Sequence, residues 1–253
     1  MGSSVTVPQR LAAGLLPRRR VSKIHLSFDI ADFKRLDNAA VYTQEEFYML
    51  VRLCMEASGI TGEFHLELGD FYTRSIMSTA RGSDLKEIVG WTETLFSAIE
   101  KNRELIDSFY VVCEKPKEIK RNTWIHGKIM YRDRTEIGSR GGPRRMKLTA
   151  LEISSLAERF GSLRRGLMPA LWVYSYLKCR TRGKHWDYRG RKVKGVWISM
   201  SEASKELKIG YRTLLSCVKA LAEIGLVEIT HAAEGNACLY SIKNLDSKNQ
   251  EED

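Results

Sequence analysis

The sequence predicts an α+β protein, mainly helical, with two domains joined by a short basic linker. Three observations carry this. First, 253 residues suffice for two ordinary domains that each bury a modest core. Second, helix and strand signals alternate twice in a similar order. Third, the stretch 137–145, Ile-Gly-Ser-Arg-Gly-Gly-Pro-Arg-Arg, has no apolar periodicity and is rich in residues that break regular structure. The resulting division is a flexible basic arm at 1–23, a first domain at 24–132, a linker at 133–147, a second domain at 148–243 and an acidic tail at 244–253.

In the first domain, structure is expected to begin near Ile24. Thr43 and Glu46 stand as a capping-box pair, in which each side chain satisfies an orphan amide of the first turn. They open a helix over 43–58, whose Phe47, Leu50, Val51 and Cys54 form one apolar stripe. Gly59 stops it. Residues 63–68 alternate as a strand with Phe64, Leu66 and Leu68 on one face. A short helix over 71–79 follows. Asp84 and Glu87 then form a second capping-box pair for a longer helix to about Ile106. Two strands, 109–113 and 124–131, flank a Lys/Glu/Pro-rich loop.

In the second domain, Thr149 and Glu152 open a helix to about Phe160. Pro169 suits the first turn of the next helix. That helix is apolar almost all round over 170–177, so it belongs at the centre of a core or against a partner. Residues 193–199 alternate as a strand. Ser199 and Glu202 form a capping-box pair for a helix over 201–207, and Ile209-Gly210 makes a tight turn. A helix over 211–224 ends at Gly225. A strand over 226–230, a turn-forming tip at 232–236 and a returning strand over 238–242 complete the domain.

The region from Pro169 to Lys243 resembles a winged helix-turn-helix. Ala203 and Leu207 fall where that family buries the first helix of its motif. Gly210-Tyr211-Arg212-Thr213-Leu214 matches the turn into its recognition helix. Leu221-Ala222-Glu223-Ile224-Gly225-Leu226-Val227 is similar to its exit into the wing. Gly210 departs from the pattern, because Ser or Thr often caps that helix. The first domain resembles a divergent winged helix in outline. Two such units in one chain resemble plasmid and phage replication initiators.

The resemblance implies that the outer face of the 211–224 helix enters the major groove of double-stranded DNA. Leu214, Cys217, Val218 and Leu221 share the core stripe, and Tyr211, Arg212, Leu215, Ser216 and Lys219 lie opposite. Arg212 suits base reading, because its planar fork can bond guanine O6 and N7 together. Tyr211, Ser216 and Lys219 suit phosphates, which position without specifying. The wing tip contains no Arg or Lys.

Charge points to a polyanion independently. The chain carries 41 Lys and Arg against 31 Asp and Glu, a net charge of +10. Residues 140–243 hold 20 basic and 8 acidic residues, whereas 1–139 are nearly balanced at 20 and 19. A basic domain favours nucleic acid. Within it, 178–194 gathers Lys178, Arg180, Arg182, Lys184, Arg189, Arg191, Lys192 and Lys194 around His185, Trp186 and Tyr188. This is expected to be a basic loop, with aromatics suited to stacking and cations to phosphates.

No apolar run approaches the roughly 18 residues a membrane span needs, and no membrane partner is expected. Five widely spaced cysteines with no CxxC pair argue for reduced thiols in a cytoplasmic compartment. No phosphate-binding Gly-Lys-Ser/Thr loop, dinucleotide fingerprint, metalloprotease helix or nucleophile elbow occurs. No catalytic residue, metal or cofactor is therefore expected. The reading is non-enzymatic, sequence-specific DNA binding in replication initiation, with a homodimer and the replication machinery as further partners. A transcriptional repressor is an alternative, as is a protein–protein adaptor built on the same fold.

Overall fold

The computed structural model describes residues 24–28, 42–58, 61–74, 85–105, 109–131, 146–160, 166–181, 185–188, 191–231 and 238–243. The expected arm at 1–23, the bulk of the linker, the tip at 232–236, the acidic tail and the Asp84 cap lie outside these residues. The protein is α+β, with seven helices and two three-stranded antiparallel sheets among the described residues.

The chain begins with β1 (Ile24–Phe28), followed by α1 (Gln44–Glu56), β2 (Glu63–Glu67), α2 (Leu68–Arg74), α3 (Leu85–Leu105), β3 (Phe109–Cys113) and β4 (Trp124–Tyr131). The second half runs β5 (Met146–Leu148), α4 (Ala150–Phe160), α5 (Met168–Thr181), β6 (His185–Tyr188), β7 (Arg191–Lys194), β8 (Val196–Ile198), α6 (Met200–Leu207), α7 (Tyr211–Glu223), β9 (Val227–His231) and β10 (Cys238–Ile242). In each half a buried helix leads to a strand, then two helices, then two strands. The sheet orders correspond as well: β2-β4-β3 and β8-β10-β9, with the last strand central. The second half adds α4 and the β6–β7 hairpin.

The capping pairs decide where two helices start. Glu46 N–H donates to Thr43 Oγ1 at 3.1 Å, and Thr43 N–H donates to Glu46 Oε2 at 2.8 Å. Thr149 and Glu152 repeat the exchange at 3.2 and 2.8 Å. The expected Ser199–Glu202 pair does not form. Ser199 makes no side-chain cap; its hydroxyl instead meets that of Ser201 at 2.7 Å. A nearby hydroxyl competes for the same short side chain.

Several expected elements differ. The strand over 193–199 is broken at Gly195, where an added Cβ would lie 2.7 Å from Tyr240 O. The short helix begins at Leu68 rather than Phe71. Helix α1 is not a one-stripe helix: Tyr48, Met49, Arg52 and Leu53 are buried along with Phe47, Leu50 and Val51. It is enclosed because α3 packs on one side and α5 on another.

That last contact changes the domain picture. The Phe47 and Trp172 rings meet with centroids 5.0 Å apart, and the buried residues of the two halves form one continuous cluster. Strand β1 pairs antiparallel with β5, so Met146 and Lys147, expected in the linker, lie in a strand. The described halves share a core because α1 and α5, each apolar on most sides, cover one another.

Candidate nucleic-acid interface

Helix α7 sits on the molecule through its apolar stripe. Leu214 and Leu221 are fully buried, and Cys217 and Val218 nearly so. The turn before it is held from below. Trp172 Nε1 donates to Leu207 O at 3.3 Å, Ser204 Oγ donates to Ile209 O at 2.6 Å, and Ile209 is buried. Lys208 caps α6 in the left-handed region at φ 52°, which reverses the chain within three residues. Gly225 at φ 75° ends α7, and Leu226 N–H then donates back to Leu221 O at 3.0 Å. This is the glycine-closed helix end that the sequence suggests.

The opposite face of α7 is open. Tyr211 is 50% and Leu215 40% exposed, and Arg212, Thr213, Ser216 and Lys219 are exposed beside them. Gly210 supplies no side-chain cap, and the first turn holds no acid. The first amides therefore point outward with the positive end of the helix dipole unopposed. Arg212 enters no ion pair among the described residues. Lys219 lies near Glu223. There the hydrogen bond from Arg159, at 2.7 Å, is the main influence, and the Arg159 and Lys219 charges assist it in holding the carboxyl below its ordinary value. The two cations on this face thus differ: Arg212 is unopposed, and Lys219 has an acidic neighbour.

Two cations that the sequence reading did not single out, Lys205 and Lys208, are exposed on α6 and its cap. Neither forms an ion pair among the described residues. Only the left-handed turn brings Lys208 to the start of α7, and no local sequence pattern announces that turn for a lysine.

The basic segment 178–194 requires correction. It is not a loop: Lys178 and Arg180 lie in α5, and Arg191, Lys192 and Lys194 lie in β7, paired antiparallel with β6. Arg182, Lys184 and Arg189 fall outside the described residues. Lys178 is turned inward. Its ammonium bonds Glu152, whose side chain is 4% exposed, and Tyr174 donates to the same carboxylate at 2.5 Å. Arg180 faces Glu206 at 3.7 Å, where Tyr176 also donates, at 2.5 Å. Both phenols are pushed above their ordinary range, by burial first and by these carboxylates second. The two cations thus tie α5 to α4 and α6.

The five cysteines are free thiols. Burial pushes Cys113 and Cys217 up to about 11, with Glu114 adding to the effect at Cys113. Among the described residues no group of three or more His, Cys, Asp or Glu could hold a metal. No helix there is long and apolar enough to cross a membrane. No family model, curated protein or solved structure matches the chain.

Proposed function

We propose that the protein is a non-enzymatic, sequence-specific binder of double-stranded DNA, built from two winged-helix units, with the outer face of α7 as its reading surface. The observation that carries this is the character of that face. It is exposed and acid-free over its first turn, it presents an unopposed Arg212, and it lies between Lys208 and Lys219. An α-helix of this width fits the major groove, and its N-terminal residues reach the base edges. The repeat of element order and sheet order in the two halves supports two units of one type. Initiation of replication at a plasmid or phage origin is the role we assign to such a tandem, acting as a homodimer with replication proteins.

The test is a salt titration of duplex binding by the whole chain. With about six phosphates neutralised, log K falls against log salt with a slope of roughly −5. No duplex binding at low salt, or a slope near zero, would remove the proposal.

A further inference from the structure

We propose that the outer face of the β2-β4-β3 sheet is a second nucleic-acid site, which stacks the unpaired bases of a single strand. The inner face of this sheet holds Phe64, Leu66, Val111, Ile125 and Ile129, all buried. On the outer face Trp124 is 50% exposed. The His65 ring lies 4.5 Å from Trp124 and 3.8 Å from His126, edge-on in both cases. His65 and His126 are direct cross-strand partners, and Trp124 lies two residues before His126 on the same strand, so the register brings the three rings together on one face. Val112 and Met130 are also exposed there. The other sheet offers no such face, because Leu239, Tyr240 and Ser241 of its central strand are all buried.

The cations at one end of this face favour a phosphate-bearing occupant; on the face itself Lys128 meets Glu63 at 3.9 Å, and Glu67 is the cross-strand partner of Trp124. The loop 114–123, which ends at Trp124, carries Lys115, Lys117, Lys120 and Arg121 against Glu114 and Glu118. Lys115 bonds Glu93, and Lys120 faces Glu118 at 3.1 Å. Lys117 and Arg121 remain exposed and enter no ion pair among the described residues. The Arg121 backbone is fixed, since its carbonyl accepts from Gly69 N–H at 2.8 Å. Aromatic rings with cations at one end match the requirements of a single strand: bases stack, the backbone is neutralised, and sequence matters little. The inference shares with the proposed function only the premise that the chain binds nucleic acid; it uses a different face.

The experiment measures binding of a fluorescein-labelled oligo(dT) of about 16 nucleotides to the full chain, wild type and three variants. Trp124→Ala is expected to weaken oligo(dT) binding about tenfold or more, and His126→Ala to weaken it less. Both side chains are exposed, so thermal melting is unchanged. Arg212→Ala leaves oligo(dT) binding intact, and Trp124→Ala leaves duplex binding intact. Absence of oligo(dT) binding by the wild type, or equal binding by Trp124→Ala, overturns the inference while leaving the α7 proposal standing. Loss of duplex binding with retained, Trp124-dependent oligo(dT) binding does the reverse. Conversion of a wild-type dimer to a monomer by Trp124→Ala, without oligo(dT) binding, assigns the face to a second copy and also overturns it.

Discussion

Helices α3 and α7 occupy the same place in the two halves of the molecule and present different surfaces. Helix α3 has 21 residues, with Glu87 in its first turn; Glu93 and Glu100 are also exposed, and Lys115 of the nearby loop turns back to bond Glu93. Helix α7 has 13 residues and no acid in its first turn. A carboxylate near a helix N-terminus satisfies the dipole from within, whereas an uncapped, acid-free start leaves it open to an external anion. A shared topology therefore does not give the two helices the same surface. The two halves share an element order, and only one has the helix face that suits a phosphate backbone.

The shared core is the first place to break the comparison. Trp172 is nearly fully buried and touches Phe47 across the halves. Trp172→Ala is expected to cost about 3–5 kcal/mol. It should lower one cooperative transition, seen alike by probes placed in either half. Two separate transitions, only one of which moves, would mean that the halves fold independently.

The next effect is acid sensitivity in the first half. Burial alone would raise the Glu46 pKa. Hydrogen bonds from Lys101 and Ser97, each at 2.7 Å, and from the Thr43 amide outweigh it and hold the group below its ordinary value of 4.5. The unfolded chain therefore takes up the proton at higher pH than the folded one. The stabilisation is complete above the unfolded value and is lost as pH falls through the lower folded value. Urea midpoints measured from pH 6 down to about pH 3 should fall more steeply for wild type than for Glu46→Gln. Parallel curves would contradict this assignment.

A smaller effect separates structural from binding cations. Lys178→Ala leaves the buried Glu152 carboxylate without its cation, at a cost of about 2 kcal/mol. It should not alter the salt slope of DNA binding. A reduced slope with unchanged stability would return Lys178 to the binding surface.

That prediction reverses the sequence reading, and the reason is physical. Counting cations in 178–194 cannot detect carboxylates that fold against them, and Glu152 lies 26 residues from Lys178. Local signals fared better where the partner is near in sequence. The Thr43–Glu46 and Thr149–Glu152 boxes formed, and the glycine stop at 225 and the α7 core stripe are as expected. The Ser199–Glu202 box failed because Ser201 offers an equally near hydroxyl. The near-complete burial of α1 could not be read from its own period, since α5 of the other half covers its second side. The exposed group of Trp124, His65 and His126 needs the register of β2 against β4, which no single strand encodes.

The most direct test of α7 as the reading helix is competitive binding of Arg212→Ala and Lys219→Ala to a selected duplex site and to random duplex. Both changes are at exposed positions and should leave melting nearly unchanged. Arg212→Ala is expected to cost about 1–3 kcal/mol on the selected site and much less on random DNA. Lys219→Ala should weaken both duplexes alike and reduce the salt slope by about one. Equal weakening of selected and random DNA by Arg212→Ala, or no effect of either change, would contradict the assignment of α7 as the helix that reads DNA.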